Sequence, residues 1–92
     1  MIISFADKDT ERLMHRKRVK KFEKIEYIAR DKMRQLQMAT SLSDLTVRPG
    51  NRLKHLTGKR WGQYSIRINR QYRICFKWTN NGPEQVEVTD YH

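Results

Sequence analysis

The sequence predicts an α+β fold in which an N-terminal helical hairpin packs on one face of a twisted antiparallel sheet. Apolar residues recur every three or four positions up to Leu36 and every second position from Tyr64 onwards. Between these regions lies Arg48-Pro49-Gly50-Asn51, a run typical of a turn. Because 92 residues leave room for one hydrophobic core, we expect residues 1–92 to form a single domain.

Two helices are predicted before this turn. Asp7 or Asp9 is a suitable cap for a short first helix that runs through Leu13 and Met14. The second helix is indicated by apolar residues at spacings of three and four, namely Phe22, Ile25, Ile28, Ala29, Met33 and Leu36. Residues 16–21, here called the basic elbow, lie at the join of the hairpin. The segment Ser41–Leu45 is expected to be either the end of the second helix or a short extra turn.

Three strands are predicted after the turn. Alternation of apolar and polar residues indicates one strand from Tyr64 to Ile68 and a second from Tyr72 to Trp78, joined by a tight turn at Asn69-Arg70. The segment Thr79–Pro83 is expected to be a loop, and Val86 and Val88 to belong to a third strand. A further short strand within 52–56 would lie at one end of the sheet.

The charge of the chain indicates a polyanionic partner. The formal net charge is +10, and residues 45–83 contain nine Lys or Arg and no Asp or Glu. Nucleic acid, an anionic membrane and an acidic protein are all compatible with this charge. No apolar run approaches the roughly 20 residues of a spanning helix, and no secretory signal is evident, so we expect no membrane partner and a cytoplasmic location. The single Cys75 is interpreted as a small buried side chain.

The strand pattern concentrates this charge on one face. Arg67, Arg73 and Lys77 share the side opposite Ile66 and Ile74, and their charges should repel unless an anion lies between them. Guanidinium groups match phosphate oxygens, although strand cations also serve solubility. The patch is extended by Lys54, His55, Lys59, Arg60 and Arg70, and Trp61 and Tyr64 are candidates either for base stacking or for the core.

The residues Asp90-Tyr91-His92 are candidates for proton transfer beside this cationic face. On composition alone they are equally typical of a polar tail. No grouping of His, Cys and acidic residues indicates a metal, and no glycine-rich loop indicates a nucleotide, so we expect no metal and no cofactor. A metal-free attack by a ribose 2′-hydroxyl on the adjacent phosphate would suit such a site and would select RNA over DNA.

Specific motifs support this hypothesis. They are Pro49-Gly50-Asn51-Arg52-Leu53, LTGKRWGQYSIRINRQYRICFKW from Leu56 to Trp78, and VEVTDYH from Val86 to His92. With an opening IISF-like strand, the chain resembles the HigB toxins of the RelE/ParE toxin superfamily along nearly its whole length. The resemblance implies a RelE-like fold and a toxin of a type II toxin–antitoxin system, a ribosome-dependent endoribonuclease that cleaves mRNA in the decoding site. Its implied partners are the ribosome with its rRNA, mRNA, and a HigA-like helix-turn-helix antitoxin.

The resemblance also implies roles for individual residues. Arg73 would stabilise the scissile phosphate, and His92, with Tyr91 and Asp90, would supply or orient proton transfer. Arg67 would assist with the phosphate and Gln71 would contact a base. Thr57 stands where many relatives have Lys, and His55 is one place from the position of a His in some relatives, which leaves the roles of Lys54 and His55 open.

Two other functions fit the same scaffold. A ParE-like protein would inhibit DNA gyrase without being an enzyme, and a simple RNA-binding module would bind RNA without cutting it. The basic elbow is compatible with ribosome contacts, with neutralisation by the antitoxin, or with a solvated face.

Overall fold

The computed structural model describes residues 1–90 and confirms the predicted α+β fold. The helices are α1 (Lys8–Met14), α2 (Glu26–Met38) and α3 (Ser43–Thr46), and the strands are β1 (Lys54–His55), β2 (Tyr64–Arg67), β3 (Tyr72–Thr79) and β4 (Gly82–Asp90). Short 3-10 turns occupy Lys20–Phe22 and Gly58–Arg60. No helix within residues 1–90 is long and apolar enough to cross a bilayer.

Helix α1 begins at an aspartate cap, as predicted. Asp7 accepts hydrogen bonds from the backbone N of Thr10 (2.7 Å) and from its hydroxyl (3.0 Å), which satisfies a donor that the first helical turn leaves unpaired. The same Thr10 hydroxyl accepts a hydrogen bond from the backbone N of Val88 (3.0 Å). The cap therefore also joins the start of α1 to β4.

The basic elbow connects α1 to α2 in the predicted position. Arg30 on α2 donates from Nε to the carbonyl oxygen of Leu13 (2.9 Å) and from Nη2 to that of Lys17 (3.3 Å). A cation at the carboxyl end of a helix meets carbonyls that have no partner within the helix. This side chain therefore ties the two arms of the hairpin together.

Helix α2 starts later than its apolar pattern predicts. Phe22 lies in the preceding 3-10 turn and Ile25 occupies the N-cap position, although both side chains are buried. Ile28, which belongs to the apolar spacing pattern that indicates this helix, is 47% exposed. It lies one residue before the buried Ala29, about 100° around the helix axis, and so falls outside the apolar stripe.

The four strands form an antiparallel sheet in the order β1-β2-β3-β4. The short extra strand predicted within 52–56 is confirmed as β1. The loop predicted over Thr79–Pro83 is wrong in extent, because only Asn80 and Asn81 separate β3 from β4. The hydroxyl of Thr79 closes this turn, since it accepts from the backbone N of Asn81 (3.2 Å) and donates to the carbonyl oxygen of Gly82 (2.8 Å).

The N-terminal segment lies beside β4 but is not a regular strand, which corrects the expected opening strand. Phe5 and Val86 form an isolated parallel bridge. Backbone hydrogen bonds from Ile3 to Pro83 (2.8 Å) and from Val86 to Ser4 (3.1 Å) extend it slightly. Gln85 has a left-handed backbone (φ 53°), and this irregularity in β4 limits the pairing.

The core lies between the helices and one face of the sheet. Ile66, Ile74, Phe76, Val86 and Val88 cover that face and contact Leu13, Phe22, Ala29, Met33 and Leu36 from the helical layer. Tyr64 packs against this core, as one of its two interpretations predicted. Trp61 does not, since it is 75% exposed.

Candidate functional site

The face of the sheet opposite the core, here called the outer face, carries the predicted arginine pair. Arg67 on β2 and Arg73 on β3 are direct register partners, one step from the buried pair Ile66 and Ile74. Paired residues of antiparallel strands project to the same side of a sheet. The structure therefore confirms that these two arginines are neighbours on one face.

Arg73 is not a solvated cation, contrary to the expectation of an open face. It is only 6% exposed. Its Nε donates to the hydroxyl of Ser65 (2.7 Å), and its Nη2 donates to the carbonyl oxygens of Arg52 (2.6 Å) and Ser65 (3.3 Å). These charge-assisted hydrogen bonds hold the guanidinium plane in one orientation.

Arg67 is half-buried and is held separately. Its Nε donates to the carbonyl oxygen of Asn69 (3.1 Å), so the two guanidinium groups are anchored to different acceptors. The carbonyl dipoles offset part of the repulsion between the charges. An anion between Arg67 and Arg73 is therefore not required for the pair to be tolerated, which corrects the earlier expectation.

Asn51 links the helical layer to the arginine pair. Its fully buried side chain accepts a short hydrogen bond from Nζ of Lys32 and donates to Gln35 and to the carbonyl oxygen of Leu45 (both 2.9 Å). Its own carbonyl oxygen accepts from the backbone N of Arg67 (2.7 Å). Partial burial lowers the pKa of Lys32, against an opposing effect of the nearby Asp31.

Arg52, the residue after Asn51, supplies a carbonyl oxygen that accepts a hydrogen bond from Arg73. Arg52 has a left-handed backbone (φ 45°), a conformation uncommon outside glycine and asparagine. The supporting contributions of Asn51, Arg52 and Ser65 were not predicted. The only available signal was Pro49-Gly50-Asn51, which indicates a turn but not the partners that the turn meets.

A second group of predicted residues meets at the end of β4. Gln71 donates from Nε2 to Oδ2 of Asp90 (3.0 Å), and Asp90 is the register partner of Tyr72. The next pair along the strands is Arg73 with Thr89. Gln71 and Asp90 therefore meet one register step from Arg73, but Asp90 lies on the same face as Tyr72, which packs against the core, and not on the outer face. Tyr91 and His92 follow Asp90 directly in the sequence and lie outside the described residues.

Three of the residues predicted to extend the patch, Lys54, Arg70 and His55, are distributed differently. Lys54 is exposed and pairs with Ser65, on the same face as the arginines. Arg70 is exposed in the turn between β2 and β3. His55 pairs with Tyr64, whose side chain faces the core, and stacks on its ring (centroids 4.9 Å apart, 22° between planes). His55 is therefore not on the outer face.

Carboxylates reach the outer face from β4, which shortens the predicted cationic row. Glu87 pairs with Cys75 and forms an ion pair with Arg60 (3.1 Å). Glu84 is the register partner of Lys77. Strand pairing brings together residues that are distant in sequence, so an acid-free stretch of chain does not produce an acid-free surface.

Cys75 is fully buried, as predicted. Burial raises the pKa of its thiol, which keeps it protonated and a poor nucleophile at neutral pH. Within residues 1–90, no three His, Cys, Asp or Glu side chains are grouped closely enough to hold a metal ion.

Comparison with a family model places almost the whole chain in one group. Residues 3–92 match the model described as the RelE-like toxin of type II toxin–antitoxin system HigB. A solved structure, the YoeB–YefM complex from Staphylococcus aureus, matches with a TM-score of 0.61 over 100% of this chain and 98% of the matched chain. At 16% sequence identity, that likeness shows the fold alone.

Two curated relatives match over shorter segments. Toxin HigB-1 from Vibrio cholerae is 47% identical over 49 residues, which is 53% of this chain and 52% of the relative. An uncharacterised protein from Haemophilus influenzae is 38% identical over 50 residues, which is 54% of this chain and 50% of that protein. The chain thus spans about half the length of the curated relatives it matches.

Proposed function

Because the chain belongs to the HigB family of RelE-like toxins from type II toxin–antitoxin systems, we propose that it is a ribosome-dependent endoribonuclease that cleaves mRNA in the decoding site. The observation that carries the proposal is the arginine pair, in which Arg73 is buried and oriented beside Arg67. The whole of residues 1–92 would act as one toxin domain, and no cofactor is required.

Arg73 has the role of stabilising charge at the scissile phosphate. When a 2′-hydroxyl attacks that phosphate, negative charge accumulates on the non-bridging oxygens. A guanidinium already held by Ser65 and Arg52 reorganises little as the charge develops, and this is the condition under which electrostatic stabilisation is most effective. Arg67 supports the same phosphate from the neighbouring strand.

Proton transfer is assigned to the end of β4 and the residues that follow it. A base removes the proton of the 2′-hydroxyl as the new bond from oxygen to phosphorus forms, and an acid protonates the 5′-oxygen as its bond to phosphorus breaks. The products are a 2′,3′-cyclic phosphate and a 5′-hydroxyl. His92 is the proposed proton carrier, with Tyr91 and Asp90 as its partners or substitutes.

Gln71 and the peripheral cations serve binding. Gln71 is held by Asp90 and would contact a base next to the scissile phosphate. Lys54 and Arg70 are exposed and would contact phosphates next to the one held by the arginine pair. His55, which stacks on Tyr64, would contribute only at the margin.

The proposed partners follow from the family. A HigA-like helix-turn-helix antitoxin would neutralise the toxin, and the ribosome and mRNA would provide its substrate complex. Such an activity would take place in the cytoplasm.

The test compares mRNA cleavage by the intact protein with and without translating ribosomes. We expect cleavage only with ribosomes, and a loss of about 10²–10³-fold for Arg73→Ala, as for removal of one transition-state donor. His92→Ala should lower the rate by about 10²–10⁴-fold. Arg48→Ala, an exposed arginine in the turn before β1, is the matched control, and circular dichroism verifies that each variant is folded.

Unchanged cleavage in both Arg73→Ala and His92→Ala would remove the catalytic assignment. Intact mRNA together with DNA breaks and growth arrest would indicate a gyrase inhibitor instead. Salt-sensitive RNA binding without cleavage would leave only the RNA-binding module.

A further inference from the structure

An open groove of about 430 Å³ runs between the basic elbow and the turn that joins β2 to β3. One wall comes from the elbow and the residues just after it, and the other from the turn. The lining residues are Lys20, Lys21, Glu23, Lys24, Ile25, Asn69, Gln71 and Tyr72. The groove is therefore bordered by three lysines on one side and by two amide side chains on the other.

The elbow wall keeps a positive charge after its ion pairs are counted. Residues 16–24 contain six Lys or Arg and one Glu. Glu23 pairs with Arg18 (3.4 Å) and Lys21 pairs with Asp9 (3.2 Å). Within residues 1–90, no carboxylate lies within ion-pair distance of Lys20 or Lys24, and both lysines are exposed.

An aromatic contact joins the two walls of the groove. The ring of Phe22, at the centre of the elbow wall, packs edge-on against the ring of Tyr72 on β3 (centroids 5.9 Å apart, 89° between planes). Phe22 is only 4% exposed, so separating the two walls would expose a buried aromatic side chain. The backbone that carries the lysines is therefore anchored to β3, while their exposed side chains remain free to adjust to a ligand.

The turn wall is shared with the candidate cleavage site. Gln71 lines the groove and also donates to Asp90 (3.0 Å). Asn69 lines the groove while its carbonyl oxygen holds Arg67 (3.1 Å). The β2–β3 turn thus joins the groove to the anchor of Arg67, and a chain of phosphates that passes around this turn would enter the groove.

A protein partner suits this groove less well. The centres of protein interfaces are depleted in charge and enriched in aromatic and other apolar side chains. The large hydrophobic side chains that are exposed among the described residues, including Tyr27, Met38 and Val47, do not line the groove. Flexible ammonium groups, by contrast, contact phosphates without regard to sequence.

We propose that this groove is a second RNA subsite, in which Lys20 and Lys24 bind the phosphates of the single-stranded segment adjacent to the cleavage position. The subsite rests on the proposed function, because its ligand is the RNA that the toxin would cut. It gives the basic elbow a role that the sequence left open.

The test measures binding rather than cleavage. The probe is a fluorescent 2′-O-methyl RNA oligonucleotide, which lacks the attacking hydroxyl and stays intact. Its Kd is measured by anisotropy at several salt concentrations for the wild type and for Lys20→Gln/Lys24→Gln. Two lost phosphate contacts on a single strand should lower the slope of log Kd against log salt by about 1.4.

The control is Lys8→Gln/Arg34→Gln, which removes the same charge from exposed positions outside the groove. We expect its slope to match that of the wild type. Equal slopes for both double variants would overturn the subsite, and so would a loss of antitoxin affinity in Lys20→Gln/Lys24→Gln with no change in slope. Because the probe cannot be cut, a protein that lacks nuclease activity but shows the slope change would refute the proposed function and leave the groove as an RNA-binding site with no cleavage position beside it.

Discussion

Arg73 is oriented before any ligand arrives, and its burial sets it apart from the other cations of the outer face. Its partners are a hydroxyl on the adjacent strand and a carbonyl in the segment before β1. The pairing of Arg73 with Arg67 was predictable, because strand alternation determines register and face. Its burial was not, because one of its acceptors is the carbonyl of Arg52, a residue distant in sequence with a left-handed backbone for which the sequence carries no local signal.

Asn51 connects the backbone of Arg67 to the helical layer. Its replacement should therefore destabilise the fold. Asn51→Ala should lower the free energy of unfolding by about 2–3 kcal/mol, because the carbonyl of Leu45 and the ammonium of Lys32 would lose buried partners. Urea denaturation monitored by circular dichroism measures the change. Asn81→Ala, in the exposed β3–β4 turn, serves as the matched control and should stay within about 0.5 kcal/mol of the wild type. A similar small effect for Asn51→Ala would refute its linking role.

Among the helices and strands, the features that depend only on neighbouring residues in the sequence were predicted correctly. The helix cap at Asp7, the short helix near Ser43 and the alternating strands all follow from side-chain spacing and capping chemistry. The opening strand and the long loop before Pro83 were wrong, because each depends on contacts with another part of the chain. The N-terminal segment meets an irregular part of β4, while the hydroxyl of Thr79 permits a two-residue turn.

The cap of α1 is testable by substitution. Asp7→Ala should cost about 1 kcal/mol of stability, because it removes the acceptor for the backbone N of Thr10. Asp7→Asn should restore most of that loss, since asparagine is an equally good N-cap. Thermal and urea unfolding of the three proteins would decide, and equal stabilities for Asp7→Ala and the wild type would contradict the assignment.

The link between α2 and α3 should respond to acid. Hydrogen bonds from the backbone N and hydroxyl of Thr40 are the main cause of the lowered pKa of Asp44, with a further contribution from Ser41. A carboxyl whose pKa is lower in the folded state stabilises the fold above its unfolded pKa, about 3.9, and the contribution is lost as pH falls below it.

Asp44→Asn removes this titration. The difference in unfolding free energy between the wild type and Asp44→Asn should be constant above about pH 5 and should shift against the wild type below about pH 4. Urea denaturation across this range measures it, with the pair at neutral pH as the internal reference. A difference that does not change with pH would show that Asp44 contributes no acid-dependent stability.

For the molecule as a whole, the balance of charge was predictable and its distribution only in part. The net charge of +10 and the acid-free stretch of residues 45–83 indicated a polyanion partner. In three dimensions Glu87 reaches Arg60 and Glu84 lies beside Lys77, so the cationic area is concentrated near Arg67, Arg73 and the basic elbow. The distribution of charge over the surface depends on which strands pair with each other, and amino-acid composition contains no information about that pairing.

The pairing of the N-terminal segment with β4 affects how the protein folds during synthesis. Ser4 and Thr10 find partners in Gln85 and Val88, which lie 81 and 78 residues further along the chain. Contacts between residues so far apart in sequence form late, because a long loop must close before they stabilise anything. β4 also supplies Asp90, the partner of Gln71. A nascent chain therefore completes both its sheet and its candidate site only after β4 has left the ribosome.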